Sequence, residues 1–290
     1  MNRSSVKPEN SPLDAGLYLV ATPIGNARDI TLRALDILAS ADVIAAEDTR
    51  TARKLMDIHG VPVAGRKMIA YHDHSGQNGR DGICKLIADG RSVAYVSEAG
   101  TPLVADPGYA LARDVSAMGE VVTAAPGASA VLTALSLSSL PSDRFMFAGF
   151  APPGKGQRKT WLEGILAVDA TLVLYESPKR INRLLAEICS LNAGTRPAAI
   201  CRELTKRFEE VMRGSVQELA QQLDERSVKG EIVLVIGYQA TEISEDTMDD
   251  ALRKAMLDMS KKDAVAFVAE ALGLPRRKVY QAALELEKDP

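Results

Sequence analysis

Three short loops rich in glycine and proline hold the residues of this sequence best suited to gripping a ligand. They are A-T-P-I-G-N-A-R-D-I-T at 21–31, V-S-E-A-G-T-P-L-V-A-D-P-G at 96–108 and A-A-P-G-A-S-A at 124–130. Proline stiffens a turn and glycine removes a side chain, so such loops bring backbone N–H and C=O groups close to a bound molecule. Pro23 and Gly25 do this in the first loop, while the second carries two Gly, two Pro and two acids in 13 residues. In the third, Ser129 either caps the following helix or presents its hydroxyl to a ligand. A dinucleotide fingerprint of the G-x-G-x-x-G type does not fit, because the first loop has a single glycine.

Each loop must be positioned by what precedes it. Short apolar runs stand at 17–21, 43–46, 92–96 and 120–123, alternating with segments such as 30–39 whose apolar residues recur at helical spacing. That alternation predicts an α/β fold with a mainly parallel sheet, whose ligand crevice opens at the carboxyl ends of the strands. The stretch A-P-P-G-K-G-Q-R-K at 151–159 reads as a linker into a second α/β domain closing the cleft. Strand-like runs at 145–150, 171–175, 198–201, 208–213 and 231–236 predict a mixed sheet with antiparallel pairs. The expected organisation is a disordered tail over 1–16, an N-terminal domain over 17–150, a second domain over 151–240, and a linker with a helical tail over 241–290. In that tail the acidic stretch 242–250 acts as separator, and Gly273 and Pro275 divide helices at 262–272 and 275–286.

Composition excludes several functions. With 46% hydrophobic and 25% charged residues among 290, the chain is neither disordered nor membrane-spanning, and a cytoplasmic location is expected. Thirty-five basic against 38 acidic side chains leave a net charge of −3, so any nucleic-acid contact must be local. The 13 aromatics are too few for a dedicated base-stacking platform. Three cysteines without a close pair indicate neither a disulfide framework nor a zinc site. His72 and His74 in Y-H-D-H-S lack a third ligand, so no metal is expected and substrate contact is the better functional reading. His59, before Gly60, is placed to interact with a helix C-terminus.

The three loops, together with A-E-D-T-R at 46–50 and Y-E-S-P-K-R-I at 175–181, resemble the ribosomal RNA branch of the tetrapyrrole methylase superfamily, the small-subunit methyltransferase I family. The resemblance runs in unbroken order over residues 17–240. It implies two α/β domains that bind S-adenosylmethionine between them, and a homodimer. By motif, Pro23, Gly25, Ala99, Gly100, Thr101, Pro102, Val104, Ser129 and Ala130 would meet the cofactor, with Tyr175 and Leu204 on the second-domain wall. The branch usually has Asp where this chain has Glu98, which moves the charge by about 1.5 Å, and Glu98 is left outside that set.

The implied reaction is methyl transfer to the 2′-hydroxyl of a cytidine in the decoding centre of 16S rRNA. A ribose hydroxyl is a weak acid, so a positioned proton acceptor helps; Asp48 and Glu203 are the candidates, with Arg50 and Lys206 nearby to steady charge. Lys155, Lys179 and Arg180 are expected to contact phosphates. Arg276, Arg277 and Lys278, in the first turn of the last helix, suit an RNA-docking or dimer-supporting tail. Two alternatives stay open: a tetrapyrrole C-methyltransferase, and a non-catalytic ribosome-binding protein that holds S-adenosylmethionine.

Overall fold

The apolar runs of the first half become strands β1 (Gly16–Val20), β2 (Val43–Ala46), β4 (Ser92–Val96) and β5 (Val122–Ala125), joined by β3 (Lys67–Ala70). In this computed structural model, which describes residues 8–290 apart from 73–74, 106, 225, 227, 239–244, 273 and 287–290, they form one sheet. Its order is β3-β2-β4-β1-β5, with every neighbouring pair parallel. Strand alternation sorts the side chains onto two buried faces. Tyr18, Val20, Ile44, Ala46, Ala94 and Val96 pack under α1 (Leu32–Ser40) and α2 (Thr49–Ile58). Leu17, Val43, Ala45, Val93 and Tyr95 pack under α3 (Gly76–Ala88) and α4 (Tyr109–Ala117). Strand β3, absent from the sequence expectation, is an edge strand with partly exposed residues, so it lacks the apolar run that marks the others.

The second sheet has the order β6-β7-β10-β8-β9, from β6 (Phe145–Phe150), β7 (Thr171–Glu176), β8 (Pro197–Arg202), β9 (Glu210–Ser215) and β10 (Ile232–Ile236). Only β6 and β7 run parallel; β10 is antiparallel to β7 and β8, and β8 to β9. The mixed character is as expected. One face packs on α6 (Lys155–Leu166), α7 (Ile181–Ile188) and α8 (Val216–Asp224) through Leu172, Leu174, Ile200 and Leu234. The other face, Val173, Ala199, Cys201, Val233 and Val235, is covered by Val131, Ala134 and Leu135 of α5 (Ala130–Ser138). The helix that follows the last strand of the first sheet therefore lies on the second sheet.

Three expected boundaries change. Strand β6 pairs with β7, so residues 145–150 belong to the second sheet rather than closing the first domain. Residues 151–159 are not a free linker, because α6 begins at Lys155 and Arg158 is 2% exposed, its guanidinium bidentate on Glu187 (2.5 and 2.7 Å) and donating to the carbonyls of Pro152 and Pro153. Basic residues in a Pro/Gly-rich run look solvated in sequence, and here one of them anchors the run. Likewise, residues 8–15 are docked: the backbone N–H groups of Glu9 and Ser11 donate to Asp36 and Ser40 of α1, and Leu13 packs against its core.

Residues 1–238 make one compact unit and 239–290 a second. The second contains three helices, α9 (Glu245–Asp258), α10 (Lys261–Ala271) and α11 (Arg276–Leu286), around a core of Leu252, Val265, Val268 and Val279. The acidic stretch expected as a separator thus opens into a helix from Glu245. Among the described residues no helix is long and apolar enough to cross a membrane.

Leu234, fully buried in the central strand β10, is contacted on both sides by β7 and β8. Leu234→Ala is expected to lower stability by about 2–5 kcal/mol, read from the urea transition of the first unit.

Candidate active site

The three glycine and proline loops leave the carboxyl ends of β1, β4 and β5, which are neighbours in the order β4-β1-β5. They are fastened to each other. Thr22 N–H donates to the carbonyl of Gly100 (2.9 Å) and Gly100 N–H to that of Thr22 (3.0 Å), joining the first loop to the second. The Thr101 hydroxyl donates to Ala128 O (3.0 Å), joining the second to the third. Gly100 sits at φ +84°, a conformation that favours glycine, and a Cβ there would stand 3.3 Å from Ile24 Cγ2, a tight contact that the Ile24 side chain would have to yield to. Leu103 (φ 71°) and Ala105 (φ 60°) are also left-handed, although neither is glycine.

Beneath these loops lies a cavity of about 340 Å³, within the range of small-molecule sites. On the first-sheet side it is walled by Ile24, Ala99, Gly100, Thr101, Val104, Ala105, Ser129 and Ala130. The opposite wall comes from Phe150, from Tyr175 through Pro178 at and just past the end of β7, and from Gly230 to Val233 just before and at the start of β10. Because β10 runs antiparallel to β7, its first residues lie beside the last residues of β7. Ser129 is the N-cap of α5 but makes no side-chain capping bond, which leaves its hydroxyl on the cavity side unspent on the helix. Tyr175 stands edge-on to Phe147 (4.9 Å) and Phe150 (5.4 Å).

Of the expected cofactor residues, Ala99, Gly100, Thr101, Val104, Ser129, Ala130 and Tyr175 line the cavity. Pro23, Gly25, Pro102 and Leu204 do not; of these, Leu204 packs with Ile24 behind the wall and Gly25 supports the loop. Gly25 does so by being small: a Cβ would meet Lys206 Cγ at 2.5 Å and Thr205 Oγ1 at 2.7 Å. Asn26 N–H donates to that Thr205 hydroxyl (3.0 Å), so the first loop is pinned to the loop after β8. Ile24, Ala105, Phe150, Glu176–Pro178 and Gly230–Val233 were not anticipated. Glu176, Ser177 and Pro178 lie inside the Y-E-S-P-K-R-I motif and were within reach of the sequence; the start of β10 was not, since ligand crevices are sought at the carboxyl ends of strands.

Neither candidate proton acceptor lines the cavity. Asp48 caps α2, accepts the Arg50 N–H (2.8 Å), and is paired with the Arg50 guanidinium at 2.8 Å; that pairing holds its pKa down to about 2. Glu203 accepts from the Glu231 N–H (2.9 Å) and from Lys206 Nζ (3.0 Å), which together hold its carboxyl below the usual range, the backbone bond first. It lies directly behind the cavity wall, because a Cβ on Gly230 would fall 2.4 Å from its carboxylate carbon. Glu98 is exposed, its N–H is held by Glu47 (3.0 Å), and it does not line the cavity.

The expected phosphate contacts divide. Lys155 and Lys179 are exposed. Arg180 instead pairs with Glu176 (3.2 Å), whose side chain is 1% exposed, and donates to Ala151 O, so it is structural. Lys206 bridges Glu203 and Glu231 (2.8 Å); partial burial presses its pKa down, but the two carboxylates outweigh this and raise it. Arg50 is paired as above, the His72 backbone N–H donates to the Ser75 hydroxyl (2.9 Å) and His72 is not part of the cavity lining, and His74 lies outside the described residues. His59 occupies the C-cap of α2 through its backbone, but its ring does not serve the helix end as expected: Nε2 donates to Ala27 O of the first loop (2.8 Å).

Residues 16–220 match the family model of Tetrapyrrole (Corrin/Porphyrin) Methylases, and 241–287 that of the RsmI C-terminal HTH domain. The chain is 44% identical over 278 residues to Ribosomal RNA small subunit methyltransferase I of Mesorhizobium japonicum, covering 95% of this chain and 94% of that one. The chain belongs to the ribosomal RNA small subunit methyltransferase I family. Its relative of the same name in Vibrio cholerae is 40% identical, covering 98% of this chain and 99% of that one. Among solved structures, the methyltransferase CobJ has the same fold at 17% identity (TM-score 0.60, 78% of this chain, 95% of that chain). So does uroporphyrin-III C-methyltransferase of Thermus thermophilus, complexed with S-adenosyl homocysteine, at 17% identity (TM-score 0.53, 77% and 97%).

Removing the Arg180 cation would strand the buried Glu176 carboxylate. Arg180→Ala is expected to destabilise by on the order of 3 kcal/mol in urea unfolding, while Lys179→Ala, one residue earlier and exposed, changes stability little.

Proposed function

We propose that this protein transfers the methyl group of S-adenosylmethionine to the 2′-hydroxyl of a cytidine in the decoding centre of 16S rRNA, acting in the cytoplasm as a homodimer. The observation that carries the reading is the cavity roofed by three interlocked loops, on a chain about 40% identical over nearly its whole length to rRNA small-subunit methyltransferases. The residues fit such a cofactor: Gly100 keeps the second loop clear of a side chain, and the Ser129 hydroxyl and the backbone at Ala99, Thr101 and Ala130 offer polar contacts within largely apolar walls. When bound, S-adenosylmethionine supplies a methyl group already activated by a positively charged sulfur.

What the chain must add is alignment, which can account for a large share of a barrier when reacting groups are pre-oriented. The loop bridge Thr22–Gly100 and the Thr101 bond to Ala128 fix the wall against which the reactants lie. As the hydroxyl oxygen forms its new bond, its proton passes to an acceptor. Of the two candidates, Asp48 has both carboxylate oxygens taken by Arg50, whereas Glu203, behind the Gly230 wall, is held by Glu231 N–H and Lys206 through Oε1 and keeps Oε2 for a proton. Lys155 and Lys179 remain free to meet phosphates. A tetrapyrrole substrate is disfavoured by the relatives alone, which at about 40% identity over nearly the whole chain are ribosomal RNA small subunit methyltransferases.

Purified protein, radiolabelled S-adenosylmethionine and 30S subunits lacking the modification should yield one ribose-methylated cytidine in the decoding centre by mass mapping. Cofactor binding without incorporation in a single turnover overturns the reading in favour of a binding-only role. Gly100→Val should weaken S-adenosylmethionine affinity in calorimetry by at least about tenfold while the protein stays folded.

A further inference from the structure

The loop joining β8 to β9 is more tightly determined than its length demands. Within residues 203–209, Glu203 and Thr205 both adopt left-handed backbone (φ 52° and 63°), a conformation that side chains with a Cβ resist. Bonds made inward hold them there: Glu203 to Glu231 N–H and Lys206, Thr205 N–H to Glu209 (2.6 Å), and Lys206 N–H to Glu203 O (3.0 Å). Every polar side chain of the loop except one is spent in this way. The exception is Arg207, which is exposed and makes no ion pair among the described residues; its guanidinium carbon lies 5.4 Å from the ring centroid of Phe208, itself 64% exposed. The strained frame therefore presents an arginine stacked on an aromatic ring, and neither side chain contributes to a core.

We infer that Arg207 and Phe208 form a stacking site for an unpaired base of the RNA substrate. The inference rests on the rRNA reading above. An exposed ring offers a π-face that any nucleobase can cover, and an unpaired guanidinium beside it offers a partner for the adjoining phosphate. Position supports this occupant. Thr205 accepts from Asn26 N–H and Lys206 fills the space beside Gly25, so the loop is fastened to the same 22–26 segment whose Ile24 lines the cavity. Exposed Arg28 lies in the adjoining turn and adds positive charge. With net charge −3, the chain cannot hold RNA by a general field, and a local stack with two cations is the kind of contact it requires.

The test measures binding of the full-length protein to unmodified 30S subunits across a salt series, with wild-type methylation in the same preparation. Phe208→Ala should weaken 30S affinity by about tenfold without altering the salt slope, and Phe208→Trp should restore it. Arg207→Ala should reduce the slope of log affinity against log salt by about one. S-adenosylmethionine affinity and melting temperature should not move in any of them, which a structural role would not allow. Wild-type methylation together with unchanged 30S affinity in Phe208→Ala overturns the stack alone. So does dissociation of an oligomer by Phe208→Ala at unchanged 30S affinity in sedimentation, which would assign the ring to contact between copies of this chain. No wild-type methylation overturns the rRNA reading and the stack with it.

Discussion

Two reciprocal backbone hydrogen bonds between Thr22 and Gly100 are the join on which the site depends. They extend the parallel pairing of β1 and β4 past the ends of the strands, but in antiparallel sense, which forces both chains to turn over the cavity. Glycine at residue 100 takes the φ of +84° that this turn needs without the strain a Cβ would add. Each such bond contributes about 1 kcal/mol net, yet leaving either buried group unpaired would cost more, so the pair sets geometry more than stability. Thr101 carries the constraint on to Ala128, and through it to Ser129 at the start of α5.

Helix α5 then transmits the constraint across the unit. It begins at the cavity and lies over the second sheet, burying Val131, Ala134 and Leu135 against β7, β8 and β10. A second join closes the other side, where Gly25 and Asn26 lock onto Thr205 and Lys206. The opposite cavity wall is stiffened by charge as well as packing. Arg158 and Arg180 take the carbonyls of Ala151, Pro152 and Pro153 and are neutralised by Glu187 and Glu176, fixing the chain just after Phe150. Burial of ions is expensive, and here each buried ion, Arg158 and Glu176, is matched by a partly exposed partner of opposite charge, Glu187 and Arg180.

The parts of this arrangement visible in the sequence are those with local signals. Parallel strands buried on both faces announce themselves as apolar runs, so β1, β2 and β4 were legible, and with the loop after β4 Gly100, Thr101 and Val104; Ser129 and Ala130, after the less buried β5, were legible from the Pro/Gly turn before them. Edge strand β3, half exposed, carried no such run. Arg158 and Arg180 were misread for a related reason: a basic residue in a polar stretch has the same sequence appearance whether it is solvated or paired with a carboxylate 4 or 29 positions away. The residues at the start of β10 depended on strand direction, which is settled by pairing with β7 rather than by any local pattern.

The same distinction bears on how a net acidic chain meets RNA. Most cations near the cavity are already committed: Arg50 to Asp48, Lys206 to Glu203 and Glu231, and Arg180 to Glu176. Paired groups present little net field, and a pair that must open to bind phosphate loses its original partner in doing so. Binding free energy must then come from the few side chains the fold has left uncommitted and from the shape of the cavity. A substrate surface of this kind favours a target whose phosphates and unpaired bases are already held in a fixed arrangement, because it lacks the surplus charge needed to gather and order a flexible strand.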